Sequence, residues 1–77
     1  MLAREYIIKR YINEGYFDNK GRIVMSLIEI KQCRSKDIVT EYIKQITNLN
    51  EYYKLYTRRN ENKPWKLKST NISKQRY

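Results

Sequence analysis

The 77-residue chain predicts an α+β fold of three helices followed by a C-terminal two-stranded hairpin. Two observations lead there. Apolar residues recur at helical spacing through most of the first fifty positions, and the pattern then switches to strict alternation. Positive charge also concentrates after the switch. Residues 1–50 carry 9 basic and 6 acidic side chains, whereas 51–77 carry 8 basic and 2 acidic, out of a total net charge of +9.

The first helix is expected at about 2–14, where Leu2, Tyr6, Ile7 and Tyr11 share a helical face and Gly15 is placed to end the run. Asp18-Asn19-Lys20-Gly21 has turn composition. A second helix is expected at about 22–32 on Ile23, Val24, Leu27 and Ile28, with Ile30 off that face. Ser35 is an N-cap for the third helix, 35–49, and Asp37 in its first turn suits the helix dipole. Ile38, Val39, Tyr42, Ile43, Ile46 and Leu49 form the strongest apolar stripe of the chain. Tyr52–Arg59 and Pro64–Ser69 alternate and are rich in strand formers, and Asn60–Lys63 reads as their turn. A hairpin alone is marginal in water, so Tyr53, Leu55, Trp65 and Leu67 are expected to pack on the helices. This makes one domain, 1–69, with 70–77 as a flexible basic tail.

Several functions are excluded by composition. A chain with no His and a single Cys, Cys33, lacks the ligands for a built-in zinc site and the groups for a His-dependent catalytic set. Cys33 has no partner for an internal disulfide, and a buried structural thiol is its expected state. Gly15 and Gly21 are the only glycines, so there is no Gly-rich phosphate loop. The expectation is a binding protein, not an enzyme, with no cofactor and no small-molecule ligand. No apolar run is long enough to span a membrane and Met1–Glu5 lacks a signal-peptide core, so the expected location is the cytoplasm, a host's if the chain is viral. Asn71-Ile72-Ser73 matches a glycosylation sequon by chance.

Three helices with a positively charged hairpin, and above all the stretch Cys33-Arg34-Ser35-Lys36-Asp37-Ile38-Val39-Thr40-Glu41-Tyr42-Ile43-Lys44-Gln45-Ile46, resemble the turn and recognition helix of prokaryotic winged helix-turn-helix regulators. Ser35 matches the cap, Val39, Ile43 and Ile46 match three apolar positions, and Asn50 falls where a Gly often precedes the wing. Tyr52–Ser69 has the wing's length and composition. Cys33 stands where the turn commonly has Gly, and Glu29 where the second helix commonly has a small residue. Pro64-Trp65-Lys66-Leu67 is also similar to the wing of domains that bind left-handed DNA, although Ile38 and Arg34 break that subfamily's helix pattern.

The resemblance implies DNA binding, with the third helix in the major groove and the wing on phosphates. Ser35, Lys36, Thr40, Lys44 and Gln45 would face bases or phosphates from the helix. Arg58, Arg59, Lys63 and Lys66 would hold phosphates from the hairpin. The expected partner is double-stranded DNA, bound as a homodimer through Ile8 and Ile12, and the expected role is a sequence-specific transcription regulator. Ile, Asn, Lys and Tyr supply 35 of the 77 residues, all with AT-rich codons, which suits a phage, virus or mobile element. Two alternatives stay open. One is an RNA or single-strand binder that stacks bases on Tyr52, Tyr56 and Trp65. The other is a small viral module that docks on an acidic host protein.

Overall fold

A computed structural model describes residues 4–72 of the chain. Where two helices are expected first, the chain forms two long strands, β1 (Glu5–Phe17) and β2 (Ile23–Cys33). One helix follows, α1 (Lys36–Asn48), and then β3 (Tyr52–Arg58) and β4 (Lys66–Thr70). All four strands join one antiparallel sheet in the order β2-β1-β3-β4, with α1 packed on one side. The three-helix fold class and the winged helix-turn-helix resemblance are therefore overturned: the described residues form a four-stranded sheet with a single helix.

The physical reason lies in side-chain period. Tyr6, Ile7 and Tyr11 fit a helical face, but Tyr6 and Ile8 also fit a strand face, and the second pattern is the one buried. Tyr6, Ile7, Ile8, Tyr11 and Ile12 are all β-branched or aromatic, the types that pack best on a pleated surface. Ile28 and Ile30 make the same point in β2, where Ile30 off the helical face is a sign of strand. Asp18–Gly21 then closes a β-hairpin: the Asp18 carboxylate accepts from the backbone N–H groups of Lys20 and Arg22 at 2.8 and 2.9 Å. Gly21 sits at φ 76°, in the left-handed region that favours glycine.

The helix lies where the sequence places its third one, and its ends are locally specified. The Ser35 hydroxyl accepts from the Ile38 backbone N–H at 3.4 Å. At the other end Asn50 adopts φ 58°, its N–H bonds to the Thr47 carbonyl, and the Glu51 N–H bonds to the Ile46 carbonyl. That pair of bonds is a Schellman motif, with Asn in the left-handed position where Gly is commonest.

The core is small and lies between α1 and the two central strands. It consists of Tyr6 and Ile8 from β1, Val39 and Ile46 from α1, and Leu55 from β3, flanked by Cys33, Tyr42, Ile43 and Tyr53. Ile8 and Ile46 are fully buried. Ile8 is thus a core residue and not the dimer surface expected of it. Cys33 is free and half-buried beside this core. Two expected stripe members, Ile38 and Leu49, remain largely exposed.

β1 pairs with β3 only as far as Tyr11↔Tyr52, and beyond it pairs with β2 alone. The distal part of this hairpin is therefore a two-stranded ribbon, and the molecule measures 46 × 26 × 18 Å. Thr70 closes β4, and the Asn71 side chain ties the end of the hairpin down: its oxygen accepts from Tyr53 N–H at 2.8 Å and its nitrogen donates to the Glu51 carbonyl at 3.1 Å. Leu2 and residues 73–77 of the expected tail lie outside the described residues.

Candidate nucleic-acid interface

Because α1 covers one side of the sheet, strand alternation delivers every second residue to the other side. On β1 these are Glu5, Ile7, Lys9 and Tyr11. The register sets Arg58, Tyr56, Lys54 and Tyr52 of β3 opposite them in turn. Leu67 of β4 lies beside Tyr56, and Ile30 of β2 lies beside Lys9. The helix-free face thus interleaves cations with aromatic rings.

Contacts follow from that interleaving. The Lys9 ammonium lies 5.2 Å from the Tyr56 ring centre and the Lys54 ammonium 5.4 Å from that of Tyr11. The Arg58 guanidinium lies 4.3 Å from the Trp65 ring. Each distance is within cation–π range, so the rings help hold several positive charges on one surface despite their mutual repulsion. Burial, with the neighbouring Tyr56 phenol second, raises the Tyr11 pKa above its ordinary value of 10.0, which extends the neutral phenol further into the alkaline range.

At the β3–β4 end lies a basic cleft of about 550 Å³, lined by Arg4, Thr57, Arg58, Arg59, Lys63, Pro64 and Lys66; Arg58 reaches it from the helix-free face, whereas the Thr57–Lys66 pair belongs to the helix side. One carboxylate anchors this end. Glu5 is buried, and its oxygens accept from Arg58 Nε at 2.9 Å and Nη2 at 3.5 Å, with Arg34 Nη2 at 3.8 Å. The Glu5 backbone carbonyl accepts from the Thr57 hydroxyl at 3.1 Å. Arg58 is fixed by this pair and by Trp65, while Arg59, Lys63 and Lys66 stay exposed. Two adjacent arginines in a strand point to opposite faces, and here only Arg58 takes the structural ion pair.

The other layer carries both signs of charge, with Lys31 5.2 Å from the Tyr42 ring centre and Lys68 5.8 Å from that of Tyr6. Glu29 and Glu51 lie on the helix side and flank Arg10, with Arg10 Nε donating to Glu51 at 2.7 Å. Asp37 and Glu41 are exposed on α1 itself. The acidic groups of the sheet and helix therefore collect on one side, apart from Glu5, which is already paired.

The nine residues expected to contact nucleic acid fall into two groups. Arg58, Arg59, Lys63 and Lys66 are brought together in the basic cleft. Ser35, Lys36, Thr40, Lys44 and Gln45 are on the helix layer, away from it. Ser35 is occupied as the cap, and the Thr40 hydroxyl donates to the Lys36 carbonyl at 3.0 Å. With no second helix to brace it among the described residues, α1 is not the reading helix of a helix-turn-helix, and that part of the expected mechanism falls with the fold. Lys9, Tyr11 and Arg4 are functional candidates that a helical reading of the N-terminal segment hides, and Lys54 gains its place only from pairing with Lys9 across β1 and β3. The signal that finds them is the i, i+2 series Ile7-Lys9-Tyr11.

Among the described residues, no group of three His, Cys, Asp or Glu side chains could hold a metal ion, and no helix is long and apolar enough to cross a membrane. No protein-family model, curated protein or solved structure matches the chain.

Proposed function

We propose that the protein is a nucleic-acid-binding module that uses the helix-free face of its sheet and the adjoining basic cleft, with no catalytic role. The observation that carries this reading is the run of cation–aromatic contacts on the helix-free face, where the one carboxylate among the paired β1–β3 residues, Glu5, is already held by Arg58. Lys9, Lys54 and Arg58 alternate with Tyr11, Tyr56 and Trp65 there, while the helix side mixes Glu29, Glu51, Asp37 and Glu41 with Arg10, Lys31, Lys36 and Lys44.

Single-stranded RNA or DNA suits this face best. Bases stack on aromatic rings at about 1–3 kcal/mol each, and a basic groove tracks the backbone without reading sequence. Three strand spacings make the sheet about 14 Å across, wider than the ~12 Å major groove of undistorted duplex, so the flat face enters a duplex groove only if the duplex deforms. One feature favours a duplex reading: the distal β1–β2 ribbon has the width a major groove admits. That ribbon is charge-balanced, with Glu14 and Asp18 against Lys20 and Arg22, so it lacks the phosphate attraction that the other end has. We place the duplex reading second, and a role in transcription regulation is tied to it.

The test is fluorescence anisotropy with matched single-stranded and duplex oligonucleotides across a salt series. The expected result is tighter single-strand binding, with log affinity falling against log salt at a slope of about −3 for four to five phosphates. Tighter duplex binding would move the site to the ribbon. No binding to either at low salt would overturn the reading.

A further inference from the structure

The sheet has two edges, and they are built differently. β4 is five residues long and carries Lys66 and Lys68, the usual defences of an exposed edge. β2 is eleven residues long, has no proline, and leaves its outer row of backbone groups unpaired in the strand order. Leu27, Ile28 and Ile30 on it are 46%, 45% and 56% exposed. A long apolar edge of this kind is a template for another strand.

We propose that β2 is the homodimer interface, pairing antiparallel with β2 of a second copy about a two-fold axis at Ile30. Charge along the strand selects both the occupant and the register. Glu29 and Lys31 flank Ile30 and lie on the same face of the sheet, opposite Arg10 and Ile8 of β1. Centring the axis on Ile30 sets Glu29 of each copy against Lys31 of the other, and Ile30 against Ile30. Moving the axis one residue either way sets Glu29 on Glu29 or Lys31 on Lys31, and like charges directly opposite are destabilising. The strand is therefore complementary to itself, as a two-fold interface requires.

The bulge in β2 agrees with this choice. Arg10 pairs with Glu29 and Tyr11 with Leu27, which leaves Ile28 as the extra residue. The regular run begins at Glu29, so the axis lies beside it, and the bulge ends the pairing towards the ribbon. An in-plane union of this kind joins two four-stranded sheets into one of eight strands. Both helices then lie on one side and both helix-free faces on the other.

Analytical ultracentrifugation of the full chain, over a concentration series, tests the proposal by mass. The wild type is expected to reach twice its 9.5 kDa. Ile30→Lys is expected to stay monomeric with an unchanged circular dichroism spectrum, because Ile30 is outside the core. Glu29→Lys and Lys31→Glu are each expected to weaken the dimer at least tenfold, and the double swap Glu29→Lys/Lys31→Glu to restore it. A wild type that remains monomeric at every concentration overturns the interface. So does a dimer that survives Ile30→Lys. Failure of the double swap to recover overturns the register.

Discussion

The two sides of the sheet are made by the same strands yet obey different rules. On the helix side Tyr6, Ile8 and Leu55 meet Val39 and Ile46, and what matters there is volume and the exclusion of water. On the helix-free side Ile7, Lys9 and Tyr11 meet Tyr56, Lys54 and Tyr52, and no element covers them. A chain this small can bury only one side. The lesson is that alternation divides labour residue by residue: each even position of β1 from Tyr6 to Arg10 serves the fold, and each odd one from Ile7 to Tyr11 stays outside the core.

Substitutions on the two sides should therefore separate stability from binding. The largest effect is expected in the core, where Ile8→Ala or Ile46→Ala should cost about 2–5 kcal/mol in urea unfolding. A loss below about 1 kcal/mol would mean that the helix does not pack as described. On the other side, Tyr56→Ala should weaken single-strand binding by about 1–3 kcal/mol. Its midpoint in urea should move much less than that of Ile8→Ala, since Tyr56 is only half-buried. Equal damage to both properties would erase the distinction between the sides.

Smaller effects refine the same division. Lys63→Ala/Lys66→Ala should reduce the salt slope for single strands by about 1.4, at ~0.7 for each phosphate no longer neutralised, with stability unchanged. An unchanged slope would remove the cleft from the interface. On the helix side, the Tyr42 hydroxyl is buried with no hydrogen-bond partner among the described residues. Tyr42→Phe should leave stability unchanged or raise it by up to about 1 kcal/mol, because it removes a polar group that gains nothing from burial. The smallest effect belongs to the ribbon turn. The Arg22 backbone N–H, followed by that of Lys20 and the Arg22 guanidinium, holds the Asp18 carboxyl below its ordinary value of 3.8. A depressed folded pKa means that this contribution is present above that value and is lost as pH falls through the folded one. Amide exchange at Lys20 and Arg22 should accelerate on acidification below about pH 4, while exchange at Ile8 does not.

What the sequence makes legible is what is specified locally. The Ser35 cap and the Val39–Tyr42–Ile43–Ile46 spacing sit within one element, and α1 forms there. Asn50 is likewise readable as a stand-in for glycine, and it takes the left-handed conformation. The alternating 52–58 run and the basic residues of the β3–β4 hairpin are local signals too, and four of the nine expected contact residues do converge. β1 and β2 are different. Tyr6, Ile7 and Tyr11 satisfy period 3.6 and period 2 alike over so short a stretch, and the choice is made by pairing with β3, more than forty residues on. A helical period for those segments hides Lys9 and Tyr11 as neighbours of Lys54 and Tyr56. Lys36, Thr40, Lys44 and Gln45 are legible as contacts only through the helix-turn-helix pattern, and among the described residues no second helix braces α1.

The most direct test of the central claim compares two charge-matched variants, Lys9→Gln/Lys54→Gln and Lys36→Gln/Lys44→Gln. Each removes two of the seventeen basic residues and lowers the net charge from +9 to +7. They differ in their side of the sheet and in that Lys9 and Lys54 stack on Tyr56 and Tyr11. Salt titration of single-strand binding should show the first variant weakened, with a slope shallower by about 1.4, and the second matching the wild type. Equal losses would mean that bulk charge alone attracts the nucleic acid, and a loss confined to the second variant would put the interface on the helix.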